Sequence, residues 1–270
     1  MAGVRDGHEF VETAIGKGAS GVLAVRDVGA PAVLVPETLK ALEQLGEAAR
    51  ERAPQARRGA VTGSVGKTSV TQAVMAGLTL AGRAHSSVKS YNNHIGVPLT
   101  LARMPRGAER AVFEVGMNHA DEIRPLSRMV RPHAALVTTV GPVHTENFPD
   151  GEAGVARAKA EIFDGIEKAG AVVRAFGSGE GCDARLIDFQ ASGGFATIQA
   201  RLDGRAVDFP ILQTGQHWGL NSMAVLLMLE ALDVDLSDSL AALGSFEPLA
   251  GRGAEKTVRL AGGGFTLIDE

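Results

Sequence analysis

The stretch GAVTGSVGKTSV, residues 59–70, leaves this chain few folds to choose from. It reads as an apolar run, then a turn holding Gly63 and Gly66, then a helix whose apolar positions are Val70, Ala73, Val74 and Leu78. Strand–turn–helix units of this kind assemble into parallel sheets covered by helices. The turn also has a chemistry. Its glycines let backbone N–H groups point inward, the helix N-terminus contributes positive dipole, Lys67 stands within reach of phosphate and Thr68 can ligate Mg²⁺. The common pattern G-x-x-x-x-G-K-[ST] places another glycine where this chain has Val61, and the loop chemistry is complete without it. The competing interpretation is a glycine-rich turn ahead of an ordinary helix; it leaves G-K-T between strand and helix unexplained.

Composition narrows the partners. With 27 Lys+Arg against 31 Asp+Glu and a net charge of -4, the chain has no basic field for nucleic acid or anionic lipid. The 270 residues, 45% of them hydrophobic, suffice for one large domain or a domain and a half. Cys182 is the single cysteine, the opening MAGVRDGHEF holds no apolar signal core, and no run approaches the ~18 apolar residues of a membrane span. The expected compartment is the cytoplasm.

Along the chain, GHEFVETAIGKGA (7–19) has helical spacing through Phe10, Ala14 and Ile15, and GVLAV and PAVLVP follow as short apolar runs. A helix is expected over 37–52, and ERAPQARR then suits a boundary near residue 57. Beyond it the pattern predicts GAVTG as a strand, a helix over 67–81, strands AVFEV (111–115) and AALVTTV (134–140), a helix over 153–169 and a strand in AVVRAF. The expected class is α/β: a mostly parallel sheet of the phosphate-loop type, flanked by helices and preceded by part of a small α/β domain. Asp203-Gly204 in TIQARLDGRAVDFPI predicts a hairpin appended antiparallel to that sheet. A helix over 217–231 is expected to bury Leu220, Met223, Ala224 and Leu227, and the strand-like FTLIDE at the end suggests a domain that continues.

Three residues outside the loop carry possible chemistry. Glu114 closes the apolar run AVFE, where a carboxylate is costly unless paired or metal-bound, although an edge glutamate facing solvent fits the same pattern. His144 takes the equivalent place in GPVHTENF, and a loop histidine can equally be merely exposed. Lys159 falls within the apolar stripe Val155, Ile162, Phe163 and Ile166. A lysine there must snorkel, find an anion or lose its charge, and the neutral amine can take up CO₂ as a carbamate that ligates metal.

Together these segments resemble the ATP-dependent Mur ligases of peptidoglycan synthesis. T-G-S-V-G-K-T is similar to that family's shortened phosphate loop, Y-N-N-H-I-G-V-P-L-T to its N-N-x-I-G-V-P segment, and F-E-V-G-M-N-H-A-D-E-I to its E-x-G-x-N-H-x-G-E-I. R-P-H-A-A-L-V-T-T-V-G-P-V-H and G-V-A-R-A-K-A-E-I-F keep the histidine and the lysine in register. The resemblance covers nearly the whole chain, and it implies roles. Gly63, Ser64, Val65, Gly66, Lys67, Thr68 and Ser69 would hold the ATP phosphates, with Asn221 at the adenine and Arg252 near the phosphates. Thr68 and Glu114 would ligate one Mg²⁺, and His144 with a carbamylated Lys159 would support a second. Lys67, Lys159 and His144 would thus be catalytic, and Asn92 and Asn93 would face the nucleotide-sugar substrate.

The N-N and G-M-N-H segments favour the member that joins D-Ala-D-Ala to UDP-MurNAc-tripeptide through an acyl phosphate. Residues 1–57 would be part of the UDP-substrate domain and 58–270 the central ATP domain, with the C-terminal ligase domain absent; such a piece is expected to bind ATP and Mg²⁺ without full ligation. Two departures stand out: Trp218 where asparagine is common, and Asp121 where the family has glycine. The rival classes are another Mur-type ligase and a nucleotide switch or motor-type NTPase. The switch class would carry N-K-x-D and D-x-x-G motifs, and neither occurs in this sequence.

Overall fold

In a computed structural model, which describes residues 6–88, 90–167, 170–247, 254–260 and 263–269, the phosphate-loop strand stands inside a parallel sheet. That strand, β3 (Arg57–Thr62), has β5 (Arg110–Glu114) on one side and β6 (Ala134–Val137) on the other, with β4 (Ala84–Ser86) beyond β5. Its residues alternate between two cores, as a period of two dictates. Val61, Val112 and Leu136 pack with α3 (Lys67–Ala81) and α7 (His217–Ala231), whereas Ala60, Ala111 and Phe113 pack with α4 (Gly96–Ala102) and α5 (Ile123–Val130). Helices on both faces explain why the middles of these strands, Gly59–Val61, Ala111–Phe113 and Ala134–Val137, are apolar on both sides. The α3–α7 approach is close: a Cβ on Gly77 would stand 2.5 Å from Leu229 Cδ1.

Ahead of the sheet, a 3-10 turn at Gly7–Phe10 leads into α1 (Val11–Gly16), and β1 (Val22–Ala24) pairs in parallel with β2 (Ala32–Leu34). Helix α2 (Thr38–Glu51) precedes the expected boundary at residue 57 and packs on α4, where a Cβ on Gly46 would meet Pro98 O at 3.1 Å. Near the chain end, β11 (Ala254–Leu260) and β12 (Gly263–Asp269) form an antiparallel pair that includes the FTLID run.

Four expectations need correction. The hairpin forms with Asp203 and Gly204 both at positive φ, as its turn requires, but it belongs to a separate sheet in the order β10 (Arg205–Ile211), β9 (Phe195–Leu202), β8 (Ala184–Ser192), β7 (Phe176–Gly177). Of AVVRAF, only Phe176 enters a strand, and Val173 is 94% exposed. Arg174 is drawn to Asp203 and Glu230, and the Ala175 N–H donates to Asp183 Oδ2, so these groups serve loop contacts rather than a ladder. The helix expected over 153–169 is α6 (Glu152–Ala160) followed by a 3-10 turn, Glu161–Gly165. Gly165 lies against the Ser127 backbone and Ser127 Oγ donates to Ile162 O, which tightens the chain there. Three residues per turn instead of 3.6 swing Phe163 off the buried stripe into solvent. Leu220 is also exposed; it precedes the Asn221–Leu229 stretch of α7, which is buried throughout. Helix α8 (Leu236–Ser245) follows α7 and packs on α3. Among the described residues, no helix is long and apolar enough to cross a membrane.

Candidate phosphate and metal site

Strand β3 delivers the chain to Gly63 (φ 150) and Gly66 (φ 84), two positions that a side chain would strain. A Cβ on Gly63 would lie 1.8 Å from Thr138 Oγ1. Helix α3 starts without a side-chain cap, so the N–H groups of its first turn are those set for an anion, and the dipole favours one. Lys67 Nζ donates to Gly63 O (2.7 Å) and Ser64 O (3.2 Å), which folds the ammonium over the loop. Thr68 Oγ1 lies 3.1 Å from Ser90 Oγ, and Ser69 is buried. Two of the assigned loop residues are otherwise engaged. The Ser64 N–H donates to Thr139 O (2.9 Å) and the Val65 N–H to Thr139 Oγ1 (3.1 Å).

The register pairs Val61 with Glu114, which places this carboxylate at the carboxyl end of β5 beside the loop. Glu114 is 2% exposed, and among the described residues its hydrogen-bonding partner is Asn92, whose Nδ2 donates to Oε1 at 2.7 Å. This settles the sequence alternatives against a solvent-facing glutamate. A buried carboxylate with one paired oxygen fits a cation, and Mg²⁺ is satisfied by one carboxylate, a hydroxyl, phosphate oxygens and water. Among the described residues, no three His, Cys, Asp or Glu side chains gather as a metal cage. The donor set therefore fits Mg²⁺ carried in with phosphate.

Lys159, on α6, is 3% exposed, and its side chain has neither a hydrogen bond nor an ion pair among the described residues. Burial, with repulsion from Lys67 second, pushes its pKa down from 10.5 to about 8. That repulsion ties α6 to the phosphate loop. His144 adopts a left-handed backbone (φ 65), and its Nδ1 is 3.9 Å from Glu146 Oε1; among the described contacts nothing links it to Glu114 or Lys159.

Asn221 is buried on α7, and its Oδ1 would be 3.1 Å from a Cβ on Gly66, so it adjoins the loop. Trp218, one turn earlier, is buried against Phe246 with ring centroids 5.6 Å apart. Asn93 Oδ1 accepts from the Ile95 and Gly96 N–H groups and so caps α4, while Asn92 serves Glu114. Arg252 lies outside the described residues. Asp121 takes a left-handed φ of 63, which aspartate tolerates better than most residues, and its N–H donates to Glu161 Oε1 at 2.7 Å. Sequence reasoning missed Thr138 and Thr139: taking AALVTTV as one strand hid the point at which the chain leaves β6 and turns onto the loop.

A 410 Å³ apolar cleft at β1–β2 and a 270 Å³ groove lined by Arg124, Phe148, Arg157 and Glu161 lie elsewhere. Within the phosphate loop, Ser64 is buried and Val65 is exposed.

The bond from half-buried Asn92 to buried Glu114 gives a first prediction. Asn92→Leu strips the carboxylate of its donor and should destabilise the chain by about 1–3 kcal/mol in urea unfolding. Unchanged stability would mean that the bond does not form in solution.

With this geometry in view, the comparisons are specific. Residues 61–229 match the Mur ligase middle domain, and the chain belongs to the Mur ligase family. It is 35% identical over 242 residues to the UDP-N-acetylmuramoyl-tripeptide–D-alanyl-D-alanine ligase of Bacillus subtilis, covering 82% of this chain and 52% of that protein. The Rickettsia prowazekii ligase of the same name is 30% identical over 280 residues, covering 94% and 62%. The crystal structure of MurF from Acinetobacter baumannii superposes with a TM-score of 0.83 at 27% identity, over 97% of this chain and 61% of that one. The chain thus spans between half and two thirds of the length of these relatives.

Proposed function

We propose that this chain carries the ATP-activating centre of a cytoplasmic ligase that joins D-Ala-D-Ala to UDP-MurNAc-tripeptide. The observation that carries the reading is the convergence of a phosphate loop, a buried carboxylate and a buried lysine on one end of one sheet. The names of the relatives support the substrates. Residues 1–57 belong, in this reading, to the UDP-substrate domain and the remainder to the ATP domain.

ATP, when bound, would supply the γ-phosphoryl group that turns the substrate carboxylate into an acyl phosphate, with ADP leaving, so that the incoming amine then displaces phosphate. The first-turn amides of α3 and Lys67 hold its phosphates, and Thr68 and Glu114 would hold a Mg²⁺ that neutralises them. Asn221, beside Gly66, would serve the base, and the family resemblance assigns Arg252 to the phosphates. Lys159, partly neutral at physiological pH, could take up CO₂, its nitrogen bonding the carbon as a proton leaves to water; the carbamate would offer oxygen ligands to a second Mg²⁺, for which the resemblance adds His144. Asn93 retains a free amide end for the nucleotide-sugar, whereas Asn92 acts through Glu114.

The test is the reaction itself. A chimera that appends the remaining C-terminal portion of the Bacillus subtilis relative should form UDP-MurNAc-pentapeptide and ADP in equal amounts. The 270-residue chain alone should bind ATP with Mg²⁺ and yield no pentapeptide. ATP hydrolysis by the chimera without any dependence on the tripeptide would place the protein with the nucleotide switches instead.

A further inference from the structure

The loop Thr138-Thr139-Val140-Gly141 leaves β6 and lies across the phosphate loop, bonding to it through Thr138, Thr139 and Gly141. Thr138 Oγ1 donates to Val65 O at 2.6 Å, and Thr139 Oγ1 accepts from the Val65 N–H at 3.1 Å. One exposed residue therefore has both of its peptide groups held by hydroxyls from another strand end. Thr139 O accepts from the Ser64 N–H, and Ser64 Oγ and the Gly141 peptide exchange bonds at 3.1 and 3.0 Å. Gly63 completes the fit, because the space its Cβ would fill belongs to Thr138 Oγ1.

From these contacts we infer that Thr138 and Thr139 are positioning residues for the phosphate loop. Thr139 takes the N–H groups of Ser64 and Val65 away from the anion, and Thr138 fixes the Val65 carbonyl so that the chain enters α3 with Gly66 left-handed. Phosphate is then read by amides from Gly66 to Ser69, not by the whole glycine-rich turn. The shortened loop needs this brace because Val61, in the place of the common pattern's first glycine, is committed to β3 and its backbone pairs with β5 and β6. The inference rests on the nucleotide reading for its consequence and on geometry alone for the brace.

Two isosteric variants test it. Thr138→Val and Thr139→Val each remove one hydroxyl and keep the shape. Titration of ADP with Mg²⁺ should show roughly tenfold weaker binding for each, the loss of about one hydrogen bond's contribution to loop order. Thr138→Ser and Thr139→Ser should restore binding to within about twofold of the original. Amide hydrogen exchange at Val65 should accelerate in Thr139→Val while the β3 amides stay protected, a change that general destabilisation would not confine to one residue. Unaltered ADP affinity together with unaltered Val65 exchange would overturn the inference. If the unsubstituted chain binds no ADP but Val65 exchange responds as stated, the brace stands and the nucleotide reading falls.

Discussion

Replacing Lys67 with methionine is expected to weaken ATP binding by roughly 150- to 25,000-fold, because two charge-assisted hydrogen bonds to phosphate are lost at ~1.5–3 kcal/mol each. The fold should survive. The Lys67 ammonium already lies across the loop on Gly63 O and Ser64 O, so its stem runs along a path that methionine can follow. Lys67→Arg is expected to fail nearly as badly, since a planar fork does not fit the space between two carbonyls of one tight turn. Equilibrium titration with unfolding curves alongside separates lost binding from lost structure. Binding within threefold of the original would remove Lys67 from the site.

The second large effect concerns Lys159 and has opposite signs for stability and activity. In the folded chain its amine titrates at about 8, against 10.5 when unperturbed. Below pH 8 both folded and unfolded chains carry the charge, and the folded state bears the whole penalty of burying it. Between 8 and 10.5 the unfolded chain holds the extra proton, so stability rises with pH; above 10.5 both forms are neutral and the penalty is gone. Lys159→Met should therefore stabilise the chain at pH 7 by roughly 1–3 kcal/mol in CO₂-free buffer and flatten that rise. In the ligating chimera, the same substitution should lower pentapeptide formation about 100-fold or more, the order seen when one stabilising group is taken from a transition state. A stabilised protein with undiminished ligation would mean that Lys159 is a passive burden. Mass spectrometry adds an independent check, since a carbamate is labile to acid and should appear only under native, bicarbonate-containing conditions.

Legibility in the sequence followed the range of the interactions involved. The unit from β3 to α3 was readable because strand, turn and helix signals lie within two dozen residues, and the structure places its helix at Lys67–Ala81 as the pattern predicts. Glu114 was readable as an oddity, a carboxylate on an apolar strand, while its partner Asn92 lies in a loop whose position no periodicity encodes. Lys159 was readable for the same reason, yet Phe163, counted in the same stripe, is exposed because α6 tightens at a contact with Ser127 on α5. The Thr138–Thr139 brace was hidden by its composition, since two β-branched residues after AALV continue a strand pattern that the backbone abandons at Val137. Elements such as α4 and β8 emerge only from packing.

The Asn93 cap illustrates a further limit. N-N-H-I-G-V-P resembles a substrate-binding segment, but the second asparagine has a local duty at the start of α4 that any helix beginning there would require. A motif can thus be read correctly as a family mark while one of its residues serves the fold.

The account's central claim is that this chain folds a site for ATP with Mg²⁺, and calorimetric titration of the 270-residue chain measures that directly. The prediction is saturable binding of one ATP per chain in Mg²⁺, weakened about tenfold or more when the metal is chelated, in line with a buried Glu114 that needs a cation. Binding that is absent at millimolar ATP, or equally strong with and without Mg²⁺, would contradict it.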